Sequence, residues 1–223
     1  MGRSDQHKYY FIKPHPVLSW EVETVTRAFP TTPWVYLFRN PVEVLMSQLV
    51  KYQPPGASVY GGFCLSRVRI GQDWRPEEKV HHILGSYAMK ASREEYCAAF
   101  LHSLDQYMID SIVDSSPGIP VEYPNLVNKF LDIYLPKHFL VKQTERQKYA
   151  MKEVTLVYSK QRAPNKAKFA PGSSYKDDTK KKEHDAWPEL VNGANRILDK
   201  SFKILKDMET KALARLNSSE NAY

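Results

Sequence analysis

Apolar positions in the first fifty residues follow two rhythms in turn. Tyr9 to Lys13 (YYFIK) is aromatic and β-branched and stops at Pro14, which predicts a short strand. Pro16 opens a helix in which Val22, Val25 and Phe29 recur at helical spacing, and Pro30 closes it. Trp34 to Phe38 (WVYLF) is an unbroken apolar run, the pattern of a strand buried on both faces of a parallel sheet. Asn40 is a favoured N-cap, and Pro41 suits the first helical position because its missing N–H has no partner there anyway. The helix so begun carries Val44, Leu45, Leu49 and Val50 on one side. Strand, helix, strand, helix is the order of a right-handed crossover in a parallel sheet.

Beyond this the rhythm loosens. Gln53 to Gln72 is rich in Pro and Gly and reads as a long surface loop. Two helical stretches follow, roughly Glu77 to Met89 and Glu94 to Asp114, then a strand over Ile119 to Tyr123 (IPVEY), with Asn125 as a cap for the next helix. From Leu140 to Lys182 lysines and arginines stand against few carboxylates, and Pro164, Pro171 and Gly172 make the second half of this stretch a loop. After Pro188 an amphipathic helix runs to about Leu216, with Leu190, Ala194, Ile197, Ser201, Ile204, Leu205 and Met208 near one stripe. The expectation is a single domain over residues 1–216 and a polar tail over residues 217–223.

Composition narrows the class without naming a function. Among 223 residues, 42% are hydrophobic and 26% charged, an ordinary globular balance. No apolar run reaches the roughly 20 residues of a membrane span. The start of the chain has no apolar signal core, and a cytoplasmic location is the expectation. Cys64 and Cys97 lack paired-ligand spacing and read as buried thiols of a reducing compartment rather than a disulfide framework or a zinc site. The net charge of +7 asks for an anionic partner and leaves its kind open.

Two short constellations carry chemistry. Arg39, Asn40, Pro41 and Ser47 follow directly on a strand. In open α/β sheets ligands bind at the carboxyl ends of strands. A helix N-terminus there offers free N–H groups and a positive dipole end to a phosphate, and Arg39 can add a bidentate clamp. The alternative is that Arg39 pairs with a neighbouring carboxylate and Ser47 is an ordinary helix residue. Lys13, Pro14 and His15 end the preceding strand. His is the usual base near neutral pH, and Lys neutralises a phosphate or leaving oxygen. The alternative here is a solvent-exposed basic turn.

In order, spacing and strand context these segments resemble the sulfotransferase superfamily. That family has a strand ending in Lys-x-His, a helix, then a strand ending in Arg-(Asn/Asp)-Pro with Ser eight residues after the Arg. Lys13 and His15 match the first half; Arg39, Asn40, Pro41 and Ser47 match the second. VEYPNL, from Val121 to Leu126, resembles the family's Tyr-Glu-Asp-Leu strand end. Tyr123 matches its Tyr, while Pro124 and Asn125 replace the acidic pair. The segment around Lys160 and Arg162, with Lys166 and Lys168, resembles the late basic loop of bacterial-type members.

The resemblance implies a P-loop-like α/β fold: a three-layer parallel sheet flanked by helices, with a long C-terminal helix. It implies transfer of a sulfuryl group from 3′-phosphoadenosine 5′-phosphosulfate to a hydroxyl or amine of a small-molecule or carbohydrate acceptor. His15 takes the acceptor proton and Lys13 stabilises the departing phosphate oxygen. Arg39 and Ser47 hold the 3′-phosphate, Tyr123 packs near the adenine, and Lys160 and Arg162 are phosphate contacts. No metal is implied. The family's first strand and its Gly-containing 5′-phosphosulfate loop have no counterpart, because only MGRSDQHK precedes YYFIK and none of the nine glycines lies in a phosphate-loop pattern. Weak or absent catalysis and an open sheet edge are the corresponding expectations. Two other classes stay open, a non-catalytic nucleotide-binding protein and a basic nucleic-acid-binding module, the latter favoured by net charge alone.

Overall fold

The apolar runs before Arg39 and before Tyr123 meet as a parallel pair. β1 (Trp34–Phe38) and β2 (Gly118–Glu122) align with Trp34 opposite Gly118 and Phe38 opposite Glu122. A computed structural model describes residues 8–49, 74–113, 116–155 and 179–218. Among them the sheet has these two strands. The architecture is mixed α/β and mostly helical, with a small parallel sheet and a long C-terminal helix. Pro120 lies mid-strand in β2. A proline cannot donate to a ladder and belongs at sheet edges, which is where the two-stranded order puts β2.

The strand expected over Tyr9 to Lys13 does not form. Tyr9, Tyr10, Phe11 and Ile12 lie outside any helix or strand and are exposed, Ile12 to 73%. β-propensity is largely a fit to a pleated, half-buried surface, and among the described residues no neighbouring strand supplies one. Phe11 finds instead the edge of Phe139, with ring centres 5.4 Å apart. Pro16 does start a helical segment, a 3-10 turn over Pro16–Glu21 that passes into α1 (Val22–Ala28). Its expected face is only partly buried: Val22 is covered, whereas Phe29 is 61% exposed. β1 is likewise not buried on both faces, since Leu37 points into solvent.

α2 (Pro41–Leu49) starts as its residues dictate. Asn40 Oδ1 accepts from the Val42 N–H at 2.9 Å, and the Asn40 carbonyl accepts from the Val44 N–H at 3.1 Å. Leu45, Met46 and Leu49 turn inward. α3 (Trp74–Leu84) ends earlier than its apolar pattern suggests. Gly85 takes φ 58°, a left-handed helix stop, and a 3-10 turn carries the chain to Met89. α4 (Arg93–Ser111) begins with a capping box in which Ser92 and Glu95 exchange hydrogen bonds. Its residues from Tyr96 to Phe100 are all buried, which makes it the central helix.

α5 (Tyr123–Lys129) runs into a π-helical stretch, Phe130–His138. Asn125 does not cap this helix; it sits inside it, and its side chain donates to buried Glu209 at 3.1 Å. The basic stretch contains α6 (Glu145–Thr155), which its charge pattern did not announce, and α7 (Thr179–Asp185). The C-terminal helix comes in three pieces: α8 (Pro188–Gly193), a π turn over Ala194–Leu198, and α9 (Asp199–Ser218). The wider π turn shifts the buried stripe, so Leu190, Ala194, Leu198, Ser201, Leu205, Glu209 and Ala212 face inward and Ile204 does not.

Beside a small cluster of Leu131, Leu135 and Val141, two other apolar clusters result. One joins α2, α3, α4 and α8 through Leu45, Val80, Phe100 and Leu190. The other packs Ile119 and Val121 of β2 against Tyr134 and Ala212. Cys97, fully buried in the first cluster, is disulfide-bonded and not a thiol. This corrects the expectation of a buried thiol. Cys64 lies outside the described residues, as do the expected loop over 53–72 and residues 156–178 of the basic stretch. Among the described residues no helix is long and apolar enough to cross a membrane.

Candidate functional site

Arg39 leaves the C-terminal end of β1, and Tyr123 follows directly on the C-terminal end of β2. Parallel pairing in this register puts both residues at the same end of the sheet, with Phe38 opposite Glu122 just before them. The Arg39 guanidinium lies over the Tyr123 ring, 5.1 Å from its centre. Two residues 84 positions apart in sequence thus share one place, at the carboxyl ends of neighbouring strands where open α/β sheets bind ligands.

The first turn of α2 supplies a third member. Glu43 lies four residues after Arg39, pairs with its guanidinium, and is buried. Its carboxylate and the Tyr123 ring restrain the guanidinium from two sides. Spacing of i,i+4 on a helix was the signal in the sequence for this ion pair. At the α2 N-terminus beside it, Asn40 accepts from the N–H groups of Val42 and Glu43 through its side chain and from that of Val44 through its carbonyl.

α9 borders the same end of the sheet. Phe202 packs edge-on against Phe38 at 5.8 Å, and Lys206 extends over the Phe202 ring toward Glu122, 3.7 Å from its carboxylate. Lys206 is a further cation near the strand ends that sequence reading did not single out.

The other expected site residues are placed differently. Ser47, two turns into α2, donates its hydroxyl to the Val44 carbonyl at 2.9 Å, the ordinary habit of a helical serine. Lys13 and His15 are exposed and lie on a non-helical segment, not at a strand end. The His15 carbonyl accepts from the Leu18 N–H at 2.9 Å and so helps begin the 3-10 turn. Lys160 and Arg162 lie outside the described residues. Arg39 and Tyr123 are therefore the expected pair that the described structure brings together.

Under the sheet lies a polar network with no counterpart in the sequence motifs. Asp105 of α4 accepts from Tyr36 Oη at 2.7 Å and from Ser201 Oγ at 3.0 Å. His102 Nδ1 is 3.3 Å from the same Ser201 hydroxyl. Burial pushes the Asp105 carboxyl up to about 6, against the two hydrogen bonds that favour its charged form. Burial, then the charge of Lys200, lowers the basicity of His102.

A cavity is found elsewhere. It has about 380 Å³ and lies among Tyr87, Lys90, Ser92, Glu95, Glu189 and Arg196. Arg196 is committed there to Glu95, which also accepts from Tyr87 Oη at 2.8 Å. Its rim mixes both signs of charge. Among the described residues no cluster of His, Cys, Asp or Glu is arranged to hold a metal ion. Comparisons with protein-family models, with curated proteins and with solved structures find no match, so the geometry stands on its own.

Proposed function

We propose that this chain is a sulfotransferase-like domain that binds a 3′-phosphoadenosine nucleotide at the carboxyl ends of β1 and β2. The observation that carries the reading is the convergence of Arg39 and Tyr123, the two strand-end residues of the family motif, at 5.1 Å. On this reading the 3′-phosphate sits between the Arg39 guanidinium and the N-terminus of α2, whose dipole favours an anion. The adenine packs near Tyr123. Ser47 contributes only after its hydroxyl turns away from the Val44 carbonyl, giving up a hydrogen bond worth about 1 kcal/mol. Lys160 and Arg162 supply further phosphate contacts. The three-layer parallel sheet of the family belongs to the same proposal.

In the transfer itself, the acceptor hydroxyl oxygen forms a bond to the sulfur of the donor. The bond from that sulfur to the bridging phosphate oxygen breaks, and its electron pair stays on the phosphate. His15 takes the acceptor proton and Lys13 neutralises the leaving oxygen. The products are a sulfate ester and adenosine 3′,5′-bisphosphate. Catalysis of this kind is mainly positioning and charge stabilisation. The acceptor is a small-molecule or carbohydrate hydroxyl, or an amine. A second reading, nucleotide binding without transfer, is favoured by one observation: Lys13 and His15 are exposed on a segment that no strand fixes.

Calorimetric titration with adenosine 3′,5′-bisphosphate tests the site. Removing Arg39 alone strands Glu43 as a buried charge, which destabilises the fold by several kcal/mol. The informative variant is therefore Arg39→Ala/Glu43→Gln. Micromolar binding that weakens at least roughly tenfold in this variant is expected. Absence of binding by the unaltered chain, or equal binding by both, overturns the proposal. Radiolabelled sulfuryl transfer, with His15→Ala as control, separates the catalytic from the non-catalytic reading.

A further inference from the structure

We infer that Glu43 and Tyr123 are positioning residues that aim the Arg39 guanidinium and so set selectivity for a 3′-phosphate over a nucleotide without one. This rests on the nucleotide reading proposed above. Three observations carry it. Glu43 is buried, although a carboxylate on the first turn of a surface helix would ordinarily be solvated. Its partner is Arg39, at i,i+4 on the same helix entry. The opposite restraint is the Tyr123 ring, which arrives from β2 and faces the guanidinium at 5.1 Å.

An arginine on a flexible stem carries rotamer entropy that a ligand would otherwise have to remove. A planar cation held by a carboxylate and laid on a ring has lost that freedom already. The guanidinium has five N–H donors, and one carboxylate occupies at most two of them. The ion pair with Glu43 therefore does not by itself use up the guanidinium. Displacing Glu43 is the costlier alternative, because a buried carboxylate without its partner is strongly unfavourable. The pair is thus kept on binding, and Glu43 acts through Arg39 without touching the ligand.

This gives a sign that simple electrostatics does not. Glu43 is a negative charge beside the proposed phosphate. If it merely competed with the ligand, Glu43→Gln would strengthen binding. If it positions Arg39, the same change weakens binding, and weakens it for the 3′-phosphate in particular.

The experiment measures dissociation constants of the full chain for adenosine 3′,5′-bisphosphate and adenosine 5′-monophosphate at one ionic strength. The readout is the ratio of the two. In Glu43→Gln the preference for the bisphosphate is expected to fall roughly tenfold or more, while monophosphate binding moves less than about threefold; Tyr123→Leu, which also removes the ring beside the adenine, weakens both ligands and still lowers the preference. Tyr123→Phe, which keeps the ring, recovers most of what Tyr123→Leu loses. Tyr123 is only partly buried, so its variants carry the test if Glu43→Gln fails to fold. Tighter bisphosphate binding in Glu43→Gln, or an unchanged ratio in both variants, overturns the inference while leaving the nucleotide site intact. No preference for the bisphosphate in the unaltered chain overturns the site and the inference together.

Discussion

Asp105→Asn changes the pH dependence of stability in a direction set by where this carboxyl sits. Asp105 ties α4 to β1 through Tyr36 and to α9 through Ser201. His102, one turn earlier on α4, faces the same serine. Burial outweighs the two hydrogen bonds and pushes the Asp105 carboxyl up to about 6 from an ordinary 3.8. The folded protein therefore holds a proton that the unfolded chain releases between about pH 4 and pH 6. Stability contributed by the protonated form is complete below that window and is lost as pH rises through it.

The full displacement is worth about 3 kcal/mol, of which about 2 kcal/mol falls between roughly pH 4.5 and pH 7.5. Asparagine has no such ionisation, so Asp105→Asn gains on the unaltered protein by about 2 kcal/mol across that interval, whatever its offset at low pH. Other carboxyl groups titrate alike in both proteins and cancel in the difference. Urea unfolding followed by the fluorescence of the four tryptophans, extrapolated linearly to water, measures both stabilities. A difference that stays constant with pH to within about 0.5 kcal/mol refutes the reasoning, because the carboxyl then ionises in the fold without penalty.

Gly118→Ala is expected to lower stability by about 1–3 kcal/mol, read as a fall in the thermal midpoint. A Cβ there would lie 2.1 Å from Cζ2 of Trp34, its partner across the sheet, and a midpoint unmoved by the change would contradict the placement of that indole. Shortening Trp34 to Leu in the same chain removes the clash and returns part of the loss. Cys97 is expected to resist maleimide even in denaturant until a reductant is added, and reduction is expected to cost about 2–5 kcal/mol of stability. Labelling of Cys97 in denaturant without reductant would show a thiol where a disulfide is assigned.

What could be read along the chain rests on neighbours within a few residues. Asn40 and Pro41 announce the start of α2, and Asn40 does cap it. The apolar runs at Trp34–Phe38 and around Ile119 announce two strands, and Pro188 announces the last helix. These signals are local hydrogen bonding and periodic burial, so they survive without tertiary context. The end of α3 before Gly85 shows how one positive-φ residue stops a pattern that hydrophobicity alone would extend.

The candidate site was legible only in part. Arg39 stands out because it closes a strand and precedes a helix cap, and Glu43 was within reach of the i,i+4 rule. That Tyr123 faces Arg39 follows from parallel pairing of β1 with β2, which no local pattern contains. The same holds for Asp105, whose partners Tyr36 and Ser201 lie 69 and 96 residues away. It holds for Asn125, drawn from a capping role to Glu209, 84 residues on.

Tertiary structure also decided against what the chain suggested. Tyr9 to Lys13 has strand chemistry without a strand, because β-propensity needs an adjacent ladder to act on. Apolar runs, an N-cap and prolines determined where β1, α2, β2 and α8 begin in this protein. Long-range packing alone decided which side chains meet, since sequence distance carries no trace of a contact made across eighty or more residues.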